Sequence, residues 1–127
     1  MTATILYVED NPQNMRLVRK MLEAGGYNMI GAQDGMTGIE AAMEHQPDII
    51  LMDMNLPDMD GLAVTAKLRT MPEFVNTPVI ALTANAMHGD RERFTSNGGC
   101  DAYLAKPITR NELINAVHRF LLARQLA

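Results

Sequence analysis

The sequence has few features that would mark it for export, for insertion into a membrane or for binding to a nucleic acid. There is one cysteine, Cys100, so no internal disulfide can form, which favours a reducing compartment. The N-terminus carries no positive region, and the apolar run after it ends at Val8, too soon for a secretion signal or a membrane span. No basic block is available to neutralise the phosphates of a nucleic acid. We therefore expect a cytoplasmic protein that binds neither membranes nor nucleic acid directly.

The chain also lacks repeats, low-complexity stretches and linkers, which predicts a single domain over residues 1–127. A chain of 127 residues lies near the commonest domain size and can bury an ordinary hydrophobic core. Apolar residues make up 47% of the sequence and charged residues 20%, with a formal net charge of -4. This balance is typical of a globular protein rather than a disordered one.

Short apolar runs alternate with helical patterns along the chain. The runs are continuous, which indicates strands buried on both faces, as in a parallel sheet covered by helices. The strong strand candidates are residues 5–8, 49–52 and 79–82, and weaker ones are residues 28–32 and 102–104.

The segments between these runs carry helix signals. Asn11 is a plausible N-cap with Pro12 at the first helical position, and Gly25 ends that helix. Asp34 is placed to cap a second helix, and Thr109 begins a capping box before the last one. The other helices are predicted at residues 62–70 and 90–96. A β-α unit repeated five times predicts a doubly wound α/β sandwich of three layers, with five helices around a five-stranded parallel sheet.

Polar residues follow the predicted strands, where each strand ends. In open α/β sheets, ligands bind beyond these carboxyl ends. Each residue alone has an ordinary explanation as a solvated acid, a turn residue, a helix cap or a surface charge. Their joint placement at one edge predicts a single site instead. The residues concerned are Glu9 and Asp10 after strand one, Asp53 after strand three, Thr83 after strand four, and Lys106 with Pro107 after strand five.

Three carboxylates in one crevice repel one another, so at least one pKa should be raised when no cation is bound. Oxygen ligands suit a hard divalent cation such as Mg²⁺ or Mn²⁺. An ammonium and a hydroxyl beside such an ion are what a transferring phosphoryl group needs, and a carboxylate can be the nucleophile. The residues thus predict a metal-dependent site that accepts a phosphoryl group on Asp53.

These segments resemble the response-regulator receiver family over essentially the whole chain. The resemblance implies the strand order 2-1-3-4-5 of the flavodoxin-like fold. It is carried by Val8-Glu9-Asp10-Asn11, Leu51-Met52-Asp53-Met54-Asn55-Leu56-Pro57 with Asp60-Gly61, Ala81-Leu82-Thr83-Ala84, and Tyr103-Leu104-Ala105-Lys106-Pro107.

The resemblance implies a role for each matching position. Asp53 would be the phosphoacceptor, served by a histidine kinase or a histidine phosphotransfer protein. Asp10 would bind Mg²⁺ directly together with Asp53, Asn55 through its backbone carbonyl, and Glu9 through a water molecule. Mn²⁺ could substitute for Mg²⁺. Lys106 would be the countercharge of the phosphoryl group and would pair with Asp53 when that group is absent.

The resemblance also implies a switch. Pro107 would follow a cis peptide bond that aims Lys106 inward, and Ala84 would be small enough to leave the acceptor accessible. Phosphorylation would draw the Thr83 hydroxyl inward and let Tyr103 fill the vacated space. A downstream protein would read the change on the surface of the predicted fourth helix, fifth strand and fifth helix. Such a protein is a signalling switch that assists only its own phosphorylation and dephosphorylation, not an enzyme.

Other interpretations fit less well. A calcium loop starting at Asp53 fails because its sixth position is Asp58 and its twelfth is Val64. An aspartyl-phosphate phosphatase of the haloacid-dehalogenase type needs a second aspartate where this chain has Asn55. A receiver that acts only by binding proteins, without phosphate, is a further alternative.

The place of the chain in its native gene has two interpretations. Met1 lies close to the first strand, which favours a stand-alone receiver. The alternative is a receiver excised from a hybrid histidine kinase.

Overall fold

The computed structural model describes residues 2–84 and 99–126 and has a five-stranded parallel sheet at its centre. The strand order is β2-β1-β3-β4-β5, as the family resemblance implied. All five predicted strands are present, with bounds within one residue of those expected. They are β1 (Thr4–Val8), β2 (Asn28–Ala32), β3 (Ile49–Asp53), β4 (Val79–Thr83) and β5 (Ala102–Ala105).

The continuous apolar runs are strands covered on both faces. All residues of β3 and β4 are buried. Alternate residues of β1 point to opposite faces, so Leu6 and Val8 join one core while Ile5 and Tyr7 join the other. The three-layer sandwich predicted from the sequence is therefore confirmed.

In the described part of the chain, two helices cover each face of the sheet. One core contains buried residues of α2 (Gly35–His45) and α3 (Gly61–Arg69). The other contains buried residues of α1 (Pro12–Ala24) and of the C-terminal helix (Arg110–Leu126). A short 3-10 helix, Pro72–Phe74, follows α3. The helix predicted at residues 90–96 lies outside the described residues.

The predicted helix caps are present. The Asn11 side chain accepts the backbone N–H groups of the first turn of α1, and Gly25 is the C-cap of that helix. Asp34 forms a capping box with Thr37 at the start of α2. The Thr109 hydroxyl accepts the backbone N–H of Glu112 at 3.2 Å, so it caps the C-terminal helix as the spacing predicted. No helix in the described ranges is long and apolar enough to cross a membrane.

Arg69, at the end of α3, joins segments that are distant in sequence. Its guanidinium donates to the carbonyl oxygens of Phe74 at 2.6 Å, Thr77 at 2.7 Å and Gly99 at 2.9 Å. It also pairs with the Asp101 carboxylate at 2.9 Å. The rigid fork of an arginine suits several acceptors at once, whereas a lysine would offer a single point charge. This residue therefore fixes the approach to both β4 and β5, although nothing in the sequence singles it out.

Replacing Arg69 by methionine should destabilise the fold. The two partly buried carbonyl oxygens of Phe74 and Thr77 would lose their donor, so we expect the free energy of unfolding to fall by about 2 kcal/mol. Urea denaturation at neutral pH measures this. Arg16→Met is the matched control, because Arg16 is exposed on α1, and its change should stay within about 0.5 kcal/mol. Equal losses in the two variants would contradict the role given to Arg69.

Candidate functional site

The carboxyl ends of four strands bring the predicted site residues to one edge of the sheet. Asp53 is the last residue of β3 and Thr83 the last of β4. Glu9 directly follows β1, and its backbone N–H donates to the Ala32 carbonyl at 2.9 Å. The Lys106 backbone N–H donates to the Thr83 carbonyl at 2.8 Å, which holds the residue after β5 beside β4. Parallel pairing therefore determines which residues meet here.

Three carboxylates form an acidic crevice, made of Glu9, Asp10 and Asp53. One carboxylate oxygen of each lies within 4.8 Å of the others. Glu9 is 2% exposed and Asp53 is 3% exposed, whereas Asp10 is open to solvent. Carboxylate oxygens at this spacing are suitable ligands for a hard divalent cation. The cluster predicted from the strand ends is thus present.

Lys106 provides the countercharge of the crevice. Its Nζ lies 2.8 Å from Glu9 Oε1 and 3.3 Å from Asp53 Oδ1. The expected pair with Asp53 is therefore confirmed, but the shorter contact is with Glu9. The Lys106–Pro107 peptide bond is cis, as the resemblance implied.

Glu9 also contacts polar groups that were not among the residues predicted at the strand ends. The Tyr7 hydroxyl donates to Glu9 Oε1 at 2.7 Å, and the Asn14 side-chain amide does so at 3.3 Å. The backbone N–H of Asn11 donates to Oε2 at 3.3 Å. A signal for Tyr7 existed in the sequence, since residues two apart on a strand point to the same face.

The pKa values of two carboxyl groups in the crevice are shifted in opposite directions. Burial, and then the neighbouring Glu9, raise the pKa of Asp53 from its ordinary 3.8 to about 6, although Lys106 opposes the rise. Burial also raises the pKa of Glu9, but hydrogen bonds from Lys106 and Tyr7 outweigh it and lower that pKa to about 2. The prediction that one carboxyl pKa is raised is confirmed, and the residue concerned is Asp53.

The loop after β3 carries Asn55 close to Asp53. The Asn55 backbone N–H donates to Asp53 Oδ1 at 3.3 Å, and Asn55 forms an isolated bridge with Asp60. Gly61 is required here, because a Cβ at this position would lie 2.5 Å from the Asp53 carbonyl oxygen. Asn55 therefore lies beside Asp53, and metal binding through its carbonyl oxygen stays a prediction.

Asp58 anchors the same loop from outside. Its carboxylate accepts the backbone N–H groups of Gly35 at 2.7 Å and Met36 at 3.0 Å, at the N-terminus of α2. These hydrogen bonds lower the pKa of the Asp58 carboxyl. A helix N-terminus favours a carboxylate, so the contact ties the loop to a neighbouring helix. Because its partners are more than twenty residues distant along the chain, local sequence patterns could not reveal this role.

The predicted switch residues lie where the sequence placed them. Thr83 is buried beside the crevice, and Ala84, next along the chain, is exposed. Tyr103 is half-buried in β5, where it is paired with Ala81 of β4 and packs against the core that contains α2 and α3.

The arrangement can support phosphoryl transfer. The Asp53 carboxylate, further oxygen ligands for a cation, the Lys106 ammonium and the Thr83 hydroxyl all lie at one edge of the sheet. These are the groups that such a transfer needs. Phosphoryl transfer depends mainly on positioning and charge stabilisation, which this set supplies.

Comparisons with known proteins agree with this geometry. Residues 5–118 match the family model described as the response regulator receiver domain. The chain is 46% identical to the polar-differentiation response regulator DivK of Brucella ovis over 121 residues, which cover 95% of this chain and 98% of DivK.

Solved structures give the same result. A receiver domain of a sensor histidine kinase from Pseudomonas aeruginosa, with a magnesium ion coordinated in its active-site cleft, is 40% identical. Its TM-score is 0.86, and the match covers 94% of this chain and 98% of that one. The chemotaxis response regulator CheY4 of Vibrio cholerae is 25% identical with a TM-score of 0.88, covering 94% of this chain and 99% of its own. The acidic crevice, the sheet order and these similarities lead to one conclusion: this chain belongs to the response regulator receiver family, whose members are signalling phosphoacceptors rather than classical enzymes.

Proposed function

We propose that Asp53 is the phosphoacceptor of a two-component signalling pathway and that its phosphorylation requires Mg²⁺. The observation that carries this proposal is the position of Asp53, buried at the end of β3 between two other carboxylates and the Lys106 ammonium. A turn residue with no chemical role would have no reason to be buried in such a costly position.

The donor is a phosphohistidine of a histidine kinase or a histidine phosphotransfer protein. A carboxylate oxygen of Asp53 attacks phosphorus, and the P–N bond breaks with its electron pair leaving on the donor imidazole. Lys106 then moves its ammonium from the carboxylates toward the new phosphoryl oxygens, and the Thr83 hydroxyl hydrogen-bonds to one of them.

Mg²⁺ fits the donor set, and Mn²⁺ could substitute. Asp10 and Asp53 would hold the ion directly, Asn55 through its carbonyl oxygen, and Glu9 through a water molecule. When bound, the cation offsets the repulsion among the carboxylates and neutralises charge that develops on the phosphoryl group. The magnesium ion in the related receiver domain from Pseudomonas aeruginosa supports this assignment.

The negative charge of the new phosphoryl group would also change the binding of a downstream protein. Inward movement of Thr83 would leave room for Tyr103, which lies one strand away in β5. The output surface implied by the family resemblance, made of the predicted fourth helix, β5 and the C-terminal helix, would then bind a downstream target protein differently.

We also propose the domain arrangement and the cellular compartment of the native protein. Residues 1–127 form one receiver domain in a stand-alone response regulator, and the match over 98% of DivK supports that form. The kinase-derived receiver from Pseudomonas aeruginosa favours the alternative, a receiver taken from a hybrid kinase. We place the protein in the cytoplasm, a reducing compartment that suits the buried thiol of Cys100.

Incubation with acetyl phosphate and Mg²⁺ should add the mass of one phosphoryl group to the intact protein. The same treatment of Asp53→Asn should add none, because an amide cannot replace the carboxylate nucleophile. Asp34→Asn is the matched control, since asparagine caps a helix as well as aspartate does and phosphorylation should persist. Intact mass spectrometry measures all three proteins. A modified Asp53→Asn would refute the assignment.

Without metal, Asp53→Asn should be more stable than the parent at pH 8 by about 1–3 kcal/mol. The raised pKa means that the folded parent holds a proton between pH 3.8 and about 6 that the unfolded chain has released. The stability of the parent therefore falls as pH rises through this range, and the asparagine variant avoids that loss. Urea unfolding at pH 3.5 and pH 8 in a chelator measures the difference, which should be small at pH 3.5.

Saturating Mg²⁺ should remove the difference in unfolding free energy between the parent and Asp53→Asn at pH 8. A cation that binds only the folded state stabilises it by about 2.7 kcal/mol at a concentration of 100 Kd. The gain should be much larger for the parent than for Asp53→Asn. Equal gains would show that the cation binds away from Asp53.

A further inference from the structure

A buried tyrosine hydroxyl points into the acidic crevice from the centre of the sheet. Tyr7 lies in β1, is 0% exposed, and packs with its ring in the core beneath α1 and the C-terminal helix. Its hydroxyl donates to Glu9 Oε1 at 2.7 Å. The space for the ring could be filled by an apolar side chain, so the hydroxyl is the part that needs a separate explanation.

The two oxygens of Glu9 are used differently. Oε1 accepts from Tyr7, from Lys106 Nζ at 2.8 Å and from the Asn14 amide at 3.3 Å. A carboxylate oxygen has two lone-pair positions, so Oε1 is saturated. Oε2 accepts the backbone N–H of Asn11 at 3.3 Å, which leaves one of its two lone-pair positions for another donor.

We propose that Tyr7 is a positioning residue for Glu9, holding its carboxylate so that Oε2 is offered to a water molecule on the bound metal. This inference rests on the proposed function for the metal itself. Tyr7 acts through Glu9, the acid to which its hydroxyl donates. Groups that orient metal-binding side chains commonly affect metal affinity strongly.

The same hydrogen bond eases the movement of Lys106. When Lys106 leaves Glu9 for the phosphoryl oxygens, a buried carboxylate oxygen would lose its closest cation. An unpartnered buried acceptor is costly, but Oε1 keeps the Tyr7 hydroxyl throughout. The orientation of Glu9 is therefore preserved in both positions of Lys106.

Tyr7→Phe removes only the hydroxyl and should weaken Mg²⁺ binding about ten-fold. Isothermal titration calorimetry of chelator-treated protein measures the Kd without any phosphoryl donor. Tyr27→Phe is the matched control, because Tyr27 precedes β2 at the opposite end of the strands, and its Kd should stay within about two-fold of the parent value.

A double-mutant cycle with Glu9→Ala identifies the route of the effect. If Tyr7 acts through Glu9, adding Tyr7→Phe to Glu9→Ala should change the Kd by less than about two-fold. An unchanged Kd in Tyr7→Phe alone, or an undiminished loss in the Glu9→Ala background, would overturn the inference. A parent protein that binds no Mg²⁺ would instead refute the proposed function, so the two failures are distinguishable.

Discussion

The site depends on the balance between one ammonium and the buried carboxylates that it bridges. Lys106 lies within 3.3 Å of both Glu9 and Asp53, and both acids are almost fully buried. Burial, and then the charge of Glu9, raise the pKa of Asp53, because one ammonium cannot neutralise two anions. The crevice therefore keeps an excess of negative charge that a divalent cation would offset. Binding of that cation is part of the phosphoryl chemistry that we propose.

Burying these charges costs free energy, and the hydrophobic cores of the fold offset that cost. Buried ion pairs rarely add net stability, because removing charges from water is expensive. Here the two cores on either face of the sheet carry the stability, and the strand ends carry the charge. Arg69 and Asp58 fix the segments next to the site by capturing backbone groups rather than by touching the crevice. Rigid supports of this kind keep a site preorganised.

Family membership narrows the chemistry but leaves individual features of this chain to be explained. A glutamate at position 9, with a longer side chain than aspartate, is long enough to bind Lys106 and to accept the Tyr7 hydroxyl. The shorter of the two carboxylate contacts of Lys106 is therefore with Glu9 rather than with Asp53. Glu9 has a structural role in holding Lys106 besides any role toward a metal.

The strands, the helix caps and the convergence of Glu9, Asp53 and Lys106 could all be predicted from the sequence. Apolar runs and capping residues are local signals, and parallel strands necessarily bring their carboxyl ends together. Only the tertiary structure decided which of the two acids holds Lys106 more closely, and that the Tyr7 hydroxyl binds Glu9. It also decided that Asp58 caps a helix more than twenty residues away. The contacts of Lys106 and Asp58 join segments that are distant along the chain, so local sequence patterns do not encode them. The Tyr7 contact depends on the side-chain conformation of Glu9, which the sequence does not determine.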